Sequence, residues 1–399
     1  MTTRRATALA AAALALSALG CGTTRSAERP GPGTGKTVAT LLAHHPKLHP
    51  LAKLPVRAYK VPALLDKQDV YAADKPNLLS PTVRRFRPLV YVPNSLSDTV
   101  DEIDPHTYKI VRHFSVGRLP QHVVPSYDLK TLWVNNDTGN SLTPINPRNG
   151  KPGKPVRVLD PYNLYFTPDG SYAVVMAEAY KRIDFRDPHT MKLRHTLNVP
   201  SCPGVNHADF SADGRLMLAS CEYSARMILI DVPRQKLLHT IKLPRSLAGP
   251  QDVKLSPDGR VFYVADMISN GVWTISARTF RVQGFIRTGL GAHGLYVSRD
   301  SRYLYVSNRG EGSITLISLA TRKPVRKWRI PGGASPDMGG VSADGRTLWL
   351  AGRYSSEVYA IDTRTGKLRR RIKVGTGPHG LCVYPQPGRY SLGHTGVFR

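Results

Sequence analysis

No catalytic motif of fixed spacing occurs anywhere in this chain of 399 residues. There is no His-Glu-x-x-His and no Cys-x-x-Cys, the spacings that bring metal ligands onto one helix face or into one turn. There is also no Gly-x-Ser-x-Gly elbow and no phosphate-cradling P-loop, and Gly310-Glu311-Gly312 reads as a turn. Any catalysis must therefore be assembled from distant parts of the chain. Acid is scarce as well: 28 Asp and Glu face 56 Lys and Arg, for a formal net charge of +28. Such an imbalance attracts anionic lipid head groups, wall polymers or nucleic acid; on a sheet edge it also blocks strand-to-strand aggregation. Among the basic clusters Trp328 is the one interleaved aromatic, which weakens a nucleic-acid reading, because single strands bind on stacking platforms. The apolar run from Ala6 to Leu19 is too short to span a bilayer.

What the chain does have is a repeat. Turns of the form Ser-x-Asp-Gly occur around Asp128, Asp169, Asp213, Asp258, Asp300 and Asp344, spaced 41 to 45 residues apart, with a worn seventh at Tyr384 to Gly388. Each is flanked by short β-branched and aromatic runs. A period of about 40 to 45 residues with several short strands per repeat predicts a β-propeller. The expected fold is all-β: seven blades of four antiparallel strands. The first unit opens with a strand at Leu89 and the last innermost strand lies near Gly380 to Tyr384, so the C-terminal strand is expected to insert beside the N-terminal one and close the ring. The tail from Tyr390 to Arg399 either competes for that place or lies over the bottom.

The ends carry a different signal. Arg4-Arg5 followed by the short apolar run reads as an export signal. It stops at Leu19-Gly20-Cys21, which resembles the lipobox of bacterial lipoproteins with Cys21 as the lipidated residue, the preferred reading; Ala18-x-Gly20 also fits a small-x-small cleavage site for plain secretion. Residues 1–21 are thus assigned to the signal, 22–87 to a Pro/Gly/basic tether with some ordered contacts at its C-terminal end, and 88–399 to the propeller. The tether histidines His44, His45 and His49 read as solvated linker residues.

Alignment of the repeats divides the two faces. The Asp-Gly turns stay constant, as a scaffold requires, while the loops on the opposite face drift in chemistry from blade to blade. Ligand chemistry belongs on the drifting face, around the axial funnel. The innermost strands bring His122, His207, Asp252, His293, Asp337 and His379 toward one axis, and the adjoining loops add Glu178, Arg182, Glu222, Tyr223, Asp266, Arg309 and Arg353. The Arg and Lys subset suits an anion. The His, Asp and Glu subset suits a divalent metal, with His207, Glu222, Asp266, His293 and His379 as candidate ligands. Cys202 and Cys221 could form a disulfide in an exported protein. Simple hairpin register puts Asn206 opposite Cys221, so the Pro203-Gly204 bend would have to return Cys202 to it. Cys382, within Leu381-Cys382-Val383, reads as a buried inert thiol.

Tyr91-Val92-Pro93-Asn94, Tyr305-Val306-Ser307-Asn308 and Val374-Gly-Thr-Gly377-Pro378-His379-Gly380 resemble the YVTN-type repeat of bacterial surface and periplasmic propellers, over Pro88 to about Gly388. The resemblance implies relatives as different as haem d1 domains, lactonases and an antibiotic lyase, so it implies a fold more than an activity. Three functions follow. The first is an exported, lipid-anchored binding or scaffold protein of the envelope, taking an anionic small molecule, polymer or protein partner. The second is a metal-assisted lyase or lactonase at the funnel; the third is nucleic-acid binding through the basic rim.

Overall fold

The computed structural model describes residues 59–394 and 396–399; the segment read from the sequence as an export signal, Cys21, and the expected tether as far as residue 58 lie outside them. Seven antiparallel sheets surround one axis. Blade 1 consists of Leu89–Asn94, Thr99–Ile103 and Ile110–Ser115, completed on its axial side by Cys382–Tyr384. Leu89 pairs with Tyr384 and Tyr91 with Cys382, which is the closure anticipated from the repeat. The innermost strands of the other blades are Pro120–Pro125, Asn163–Phe166, Val205–Phe210, Pro250–Leu255, Ala292–Val297 and Pro336–Val341.

Burial explains why the strands read as they do. Val261–Asp266, a second strand, is buried at every position, because blades stack face to face and leave it no solvent side. Outermost strands such as Lys323–Arg329 and Leu368–Lys373 are mostly exposed and strongly basic. Charge there leaves the seven free edges unattractive to other strands. The apolar core is correspondingly not central but lies between blades. Trp349 of blade 7, for example, packs with Val90 and Val92 of blade 1.

The repeated turns are held by one device. Ser256 Oγ donates to Asp258 Oδ1 and accepts from the amide of Val261, while Asp258 Oδ1 accepts from the amide of Arg260. The residue after the aspartate sits in the left-handed region, with φ +67 at Gly259. Blades where the sequence drifts keep the geometry, with Leu129 at φ 65 and Ser301 at φ 58.

Residues 59–87 run as a strap across this turn face. Tyr59 Oη donates to the carbonyl of Gly214, the amide of Val70 to Pro257 and the amide of Asn77 to Ala343, so the strap crosses blades 4 to 7 in order. The tail does something that neither alternative read from the sequence described. Ser391–Gly393 adds to the axial side of Asn163–Phe166, Val397–Phe398 pairs with it in turn, and the sheet of blade 3 grows to six strands reaching into the axis. A Cβ on Gly393 would lie 2.4 Å from Tyr165 Cα, so only glycine permits this approach. Arg399, near the end of the tail, pairs with buried Asp209 at 3.1 Å.

A chain stopped after Gly377 is expected to lose its cooperative melt, because Leu89–Tyr91 would be left as an open edge. One stopped after Arg389 keeps the closing strand and should melt cooperatively at a lower temperature. Circular dichroism melts decide this; full-length stability in the shorter chain would refute ring closure as the organising contact.

Candidate functional site

Five of the six strands listed above carry a register break at the same level. Asn206 and His207 together oppose Ser220, since Val205 pairs with Cys221 and Ala208 with Ala219. The breaks at Pro250/Val253, Ala292/Leu295 and Pro336/Gly339 do the same for Gln251-Asp252, His293-Gly294 and Asp337-Met338, and blade 2 breaks between Pro120 and His122. A bulge re-aims side chains and ends regular pairing, which here turns the drifting residues toward the axis. It also corrects the hairpin register assumed from the sequence: Val205, not Asn206, stands opposite Cys221. Cys202 reaches Cys221 from the preceding bend, and the two form a disulfide. Cys382 is a free, buried thiol pushed upward by burial.

The bulges also stitch neighbouring blades together. The amide of Ala208 donates to Tyr165 Oη at 2.9 Å, that of Leu295 to Asp252 Oδ2 at 2.9 Å and that of Gly339 to Tyr296 Oη at 2.6 Å. Asp252 is therefore in part a structural clamp.

At the floor of the funnel five imidazoles meet. The His122 ring lies 4.9 Å from His379, 5.3 Å from His394 and 5.7 Å from His207, and His293 is 6.0 Å from His207 and 5.8 Å from His379. All five are buried. Burial is the leading cause that holds each below the ordinary histidine value, His207 down to about 3, and neighbouring imidazoles or guanidiniums add to it. Burial thus biases all five toward the neutral imidazole. Asp337 bridges two of them, 2.6 Å from His379 Nδ1 and 3.2 Å from His293 Nδ1, with Arg309 also at 3.2 Å. Burial pushes its carboxyl up, but His293 and the Arg309 and Arg353 guanidiniums outweigh it, and the group stays ionised.

Above this floor lies a carboxyl layer. Asn206 Nδ2 donates to Glu222 Oε2 at 2.6 Å and to Glu178 Oε1 at 3.3 Å. Desolvation, then Glu222 and Asp137, push Glu178 well above the usual carboxylate range; desolvation also raises Glu222. Asp137 is pushed up to about 7 by burial and by Asp160, and Asp160 is itself raised by burial, so the two resist ionising together. Tyr223 and Tyr354 stand exposed at the lip.

Not all candidates converge. Asp266 is engaged elsewhere: its carboxylate accepts from the amides of Gly249, Ile268 and Ser269 and from Trp273 Nε1, so both oxygens are occupied in holding a loop. Arg182 is taken by Asp184 on its own strand and stacks on Tyr180. Glu222 sits in the carboxyl layer, above the imidazoles with which it was grouped as a metal ligand. The nitrogens that do come together belong to His122, His207 and His394, one from each lying within 4.8 Å of the others. His394 escaped the sequence reading because it stands outside the repeat. Its one signal was the miniature strand pattern of Tyr390, Leu392, Val397 and Phe398, apolar residues that have to be buried somewhere.

A model of the YNCE-like β-propeller matches residues 79–388. The chain belongs to the YNCE-like β-propeller family. Among its relatives this YNCE-like chain is 26% identical over 289 residues to a 6-phosphogluconolactonase of Erwinia tasmaniensis, covering 68% of this chain and 76% of that protein. Its fold matches a putative 6-phosphogluconolactonase from Bacteroides fragilis, with TM-score 0.61, 16% identity and coverage of 75% and 98%. It also matches virginiamycin B lyase from Staphylococcus aureus, with TM-score 0.54, 15% identity and coverage of 64% and 84%. At these identities the two structures speak for the fold alone.

Asp137 offers a direct check of the electrostatics. Its folded value near 7 exceeds the ordinary 3.8, so burial costs nothing below about pH 4, and the cost grows until pH 7 and then levels. Asp137→Asn should therefore melt progressively higher than the parent as pH rises from 4 to 7. A temperature gap that stays flat across that range would refute the assignment.

Proposed function

We propose that this chain is an exported, lipid-anchored envelope propeller of YVTN-type repeats whose funnel binds a small polyhydroxylated acid. The observation that carries the reading is Arg353. Its guanidinium meets only neutral oxygens, Ser95 Oγ at 3.3 Å and Gln121 Oε1 at 3.4 Å, and among the described residues no carboxylate lies within salt-bridge distance of it. Arg309, by contrast, is neutralised by Asp337. A guanidinium in a funnel with no carboxylate bound to it directly suits one carboxylate or phosphate. Around it Glu178, Glu222 and the Asp137–Asp160 pair, all pushed upward by burial, offer hydrogen-bond partners for hydroxyls, and the exposed tyrosines of the lip supply flat faces. The name of the Erwinia relative, whose substrate is a phosphorylated sugar lactone, supports this ligand class.

Calorimetry of the full chain with gluconate and 6-phosphogluconate tests the reading. Arg353→Gln should weaken binding about 10- to 100-fold, the worth of a charged hydrogen bond. Affinity should rise as pH falls from 8 to 6, because Asp137 then takes up its proton and stops repelling the anion. Affinity unchanged in the Gln variant, or no binding by either compound, would overturn it.

A second reading, hydrolysis of the lactone, is favoured by the same relative and by the raised carboxyl of Asp137 beside Asp160, which suits general acid and base work near neutrality. Lactone-dependent proton release abolished by Asp137→Asn would establish it. Nucleic-acid binding gains less support. Trp328 is buried, 5.6 Å from the Tyr305 ring, and offers no stacking face. Part of the rim charge is compensated, with Arg369 on Asp362 and Arg371 on Glu357.

The envelope assignment rests on Cys21, outside the described residues. Cys21→Ser should move the protein from the membrane fraction to the soluble one; undiminished membrane attachment would show a different anchor.

A further inference from the structure

The axial imidazoles are more than a polar lining. We propose that His122, His207 and His394 form a binding site for a borderline divalent cation such as zinc, cobalt, nickel or copper, and that the C-terminal tail supplies its third ligand. Metal binding and seating of the tail in the axial channel are then one event. This inference is independent of the ligand assigned to the funnel mouth.

Three observations carry it. First, one nitrogen from each ring lies within 4.8 Å of the other two. A tetrahedral site with metal–nitrogen bonds of about 2.0–2.1 Å sets ligand nitrogens about 3.3 Å apart, so the rings need to close by at most about 1.5 Å. Second, Nε2 of His122 and Nε2 of His207 are buried with no hydrogen-bond partner among the described residues. His122 Nδ1 donates to the carbonyl of Tyr162 at 2.9 Å, which fixes the tautomer and leaves the Nε2 lone pair free toward the axis. Buried polar atoms without a protein partner call for an occupant. Third, the surroundings are those of a metal shell. His394 Nε2 lies 3.4 Å from Asp252 Oδ1, and a carboxylate behind an imidazole orients it and raises its basicity. Asn163 Nδ2 lies 3.2 Å from His207 Nδ1 and 3.1 Å from His394 Nδ1 and donates to them, so it holds the two rings side by side, and entry of the ion displaces this amide and moves the His207 proton off Nε2.

The donor set selects the ion. Neutral imidazoles suit zinc, copper, nickel and cobalt, whereas magnesium and calcium require oxygen ligands. The tail is built to deliver its histidine: His394 donates its amide to Leu164 at 2.8 Å, Gly393 allows the close approach, and Arg399 locks the end on Asp209. Because the tail contributes a ligand, the folded tail gains stability from the metal by mass action.

The test uses the full chain purified without chelators. Elemental analysis should find one equivalent of a transition metal per chain. After chelation, zinc at a hundredfold excess over its Kd should raise the melting temperature by roughly 5 °C, while magnesium and calcium leave it unchanged. Cobalt substitution should give the visible absorption of a nitrogen-rich four-coordinate site. His394→Ala and the chain stopped after Arg389 should each lose the metal equivalent and the shift, whereas His239→Ala, at an exposed position, keeps both. Carboxypeptidase should release the C-terminal residues faster from the chelated protein than from the zinc form, a readout that does not depend on any variant folding. Absence of both bound metal and a zinc-dependent shift overturns the proposal. So does a metal equivalent that survives His394→Ala, or tail digestion indifferent to zinc.

Discussion

The pairing of Cys382–Tyr384 with Leu89–Tyr91 is the contact on which the rest of the molecule depends. Before it forms, the chain is a row of blades with an open edge at each end, and no axis exists. Once it forms, blade 1 is completed and blade 7 gains its neighbour. The apolar layer between them, with Trp349 against Val90 and Val92, then becomes continuous with the others. Ring closure also creates a problem. Seven innermost strands converge on a space too narrow for regular side chains and lined with backbone that needs partners.

The bulges answer that problem, and the funnel is their by-product. Each sets a residue pair against a single residue, which turns a side chain to the axis, and in blades 4, 6 and 7 the amide that follows is freed for the neighbouring blade. The clamps from Leu295 to Asp252 and from Gly339 to Tyr296 are the scaffold half of this arrangement. The imidazole floor and the carboxyl layer are the chemical half. A low-dielectric interior then biases their protonation: the histidines are driven toward the neutral form, the carboxyls above them are pushed upward, and Asp252 and Asp337, beside cationic groups and imidazoles, are held below the usual carboxylate range. A mouth that offers hydrogen-bond partners and one guanidinium with no carboxylate bound to it directly, over a floor that offers nitrogen lone pairs, follows from burial as much as from residue type.

The parts of the site that were legible in the sequence were those that repeat. His122, His207, His293, His379, Asp252 and Asp337 all occupy the drifting positions of the aligned units, and the structure brings them to one axis. Residues outside that alignment were misplaced or missed. Asp266 looked like a funnel acid because it ends a second strand, yet three amides and an indole claim its oxygens. Asp160 lies in a connection of blade 3 and acquires its role only by meeting Asp137 of blade 2.

By itself the sequence determined the blade, its sevenfold repetition, the Asp-Gly turn that reverses each hairpin, and the strand that closes the ring. Those depend on residues a few positions apart, or on a period that any blade displays. Tertiary structure alone decided which blades face each other across the axis, the bulged register that lets Cys202 reach Cys221, and the path of the tail. His394 lies 231 residues from Asn163 and beside it in space. No local pattern encodes that meeting, because what draws the tail inward is the unfilled centre of a ring that exists only after all seven blades have closed.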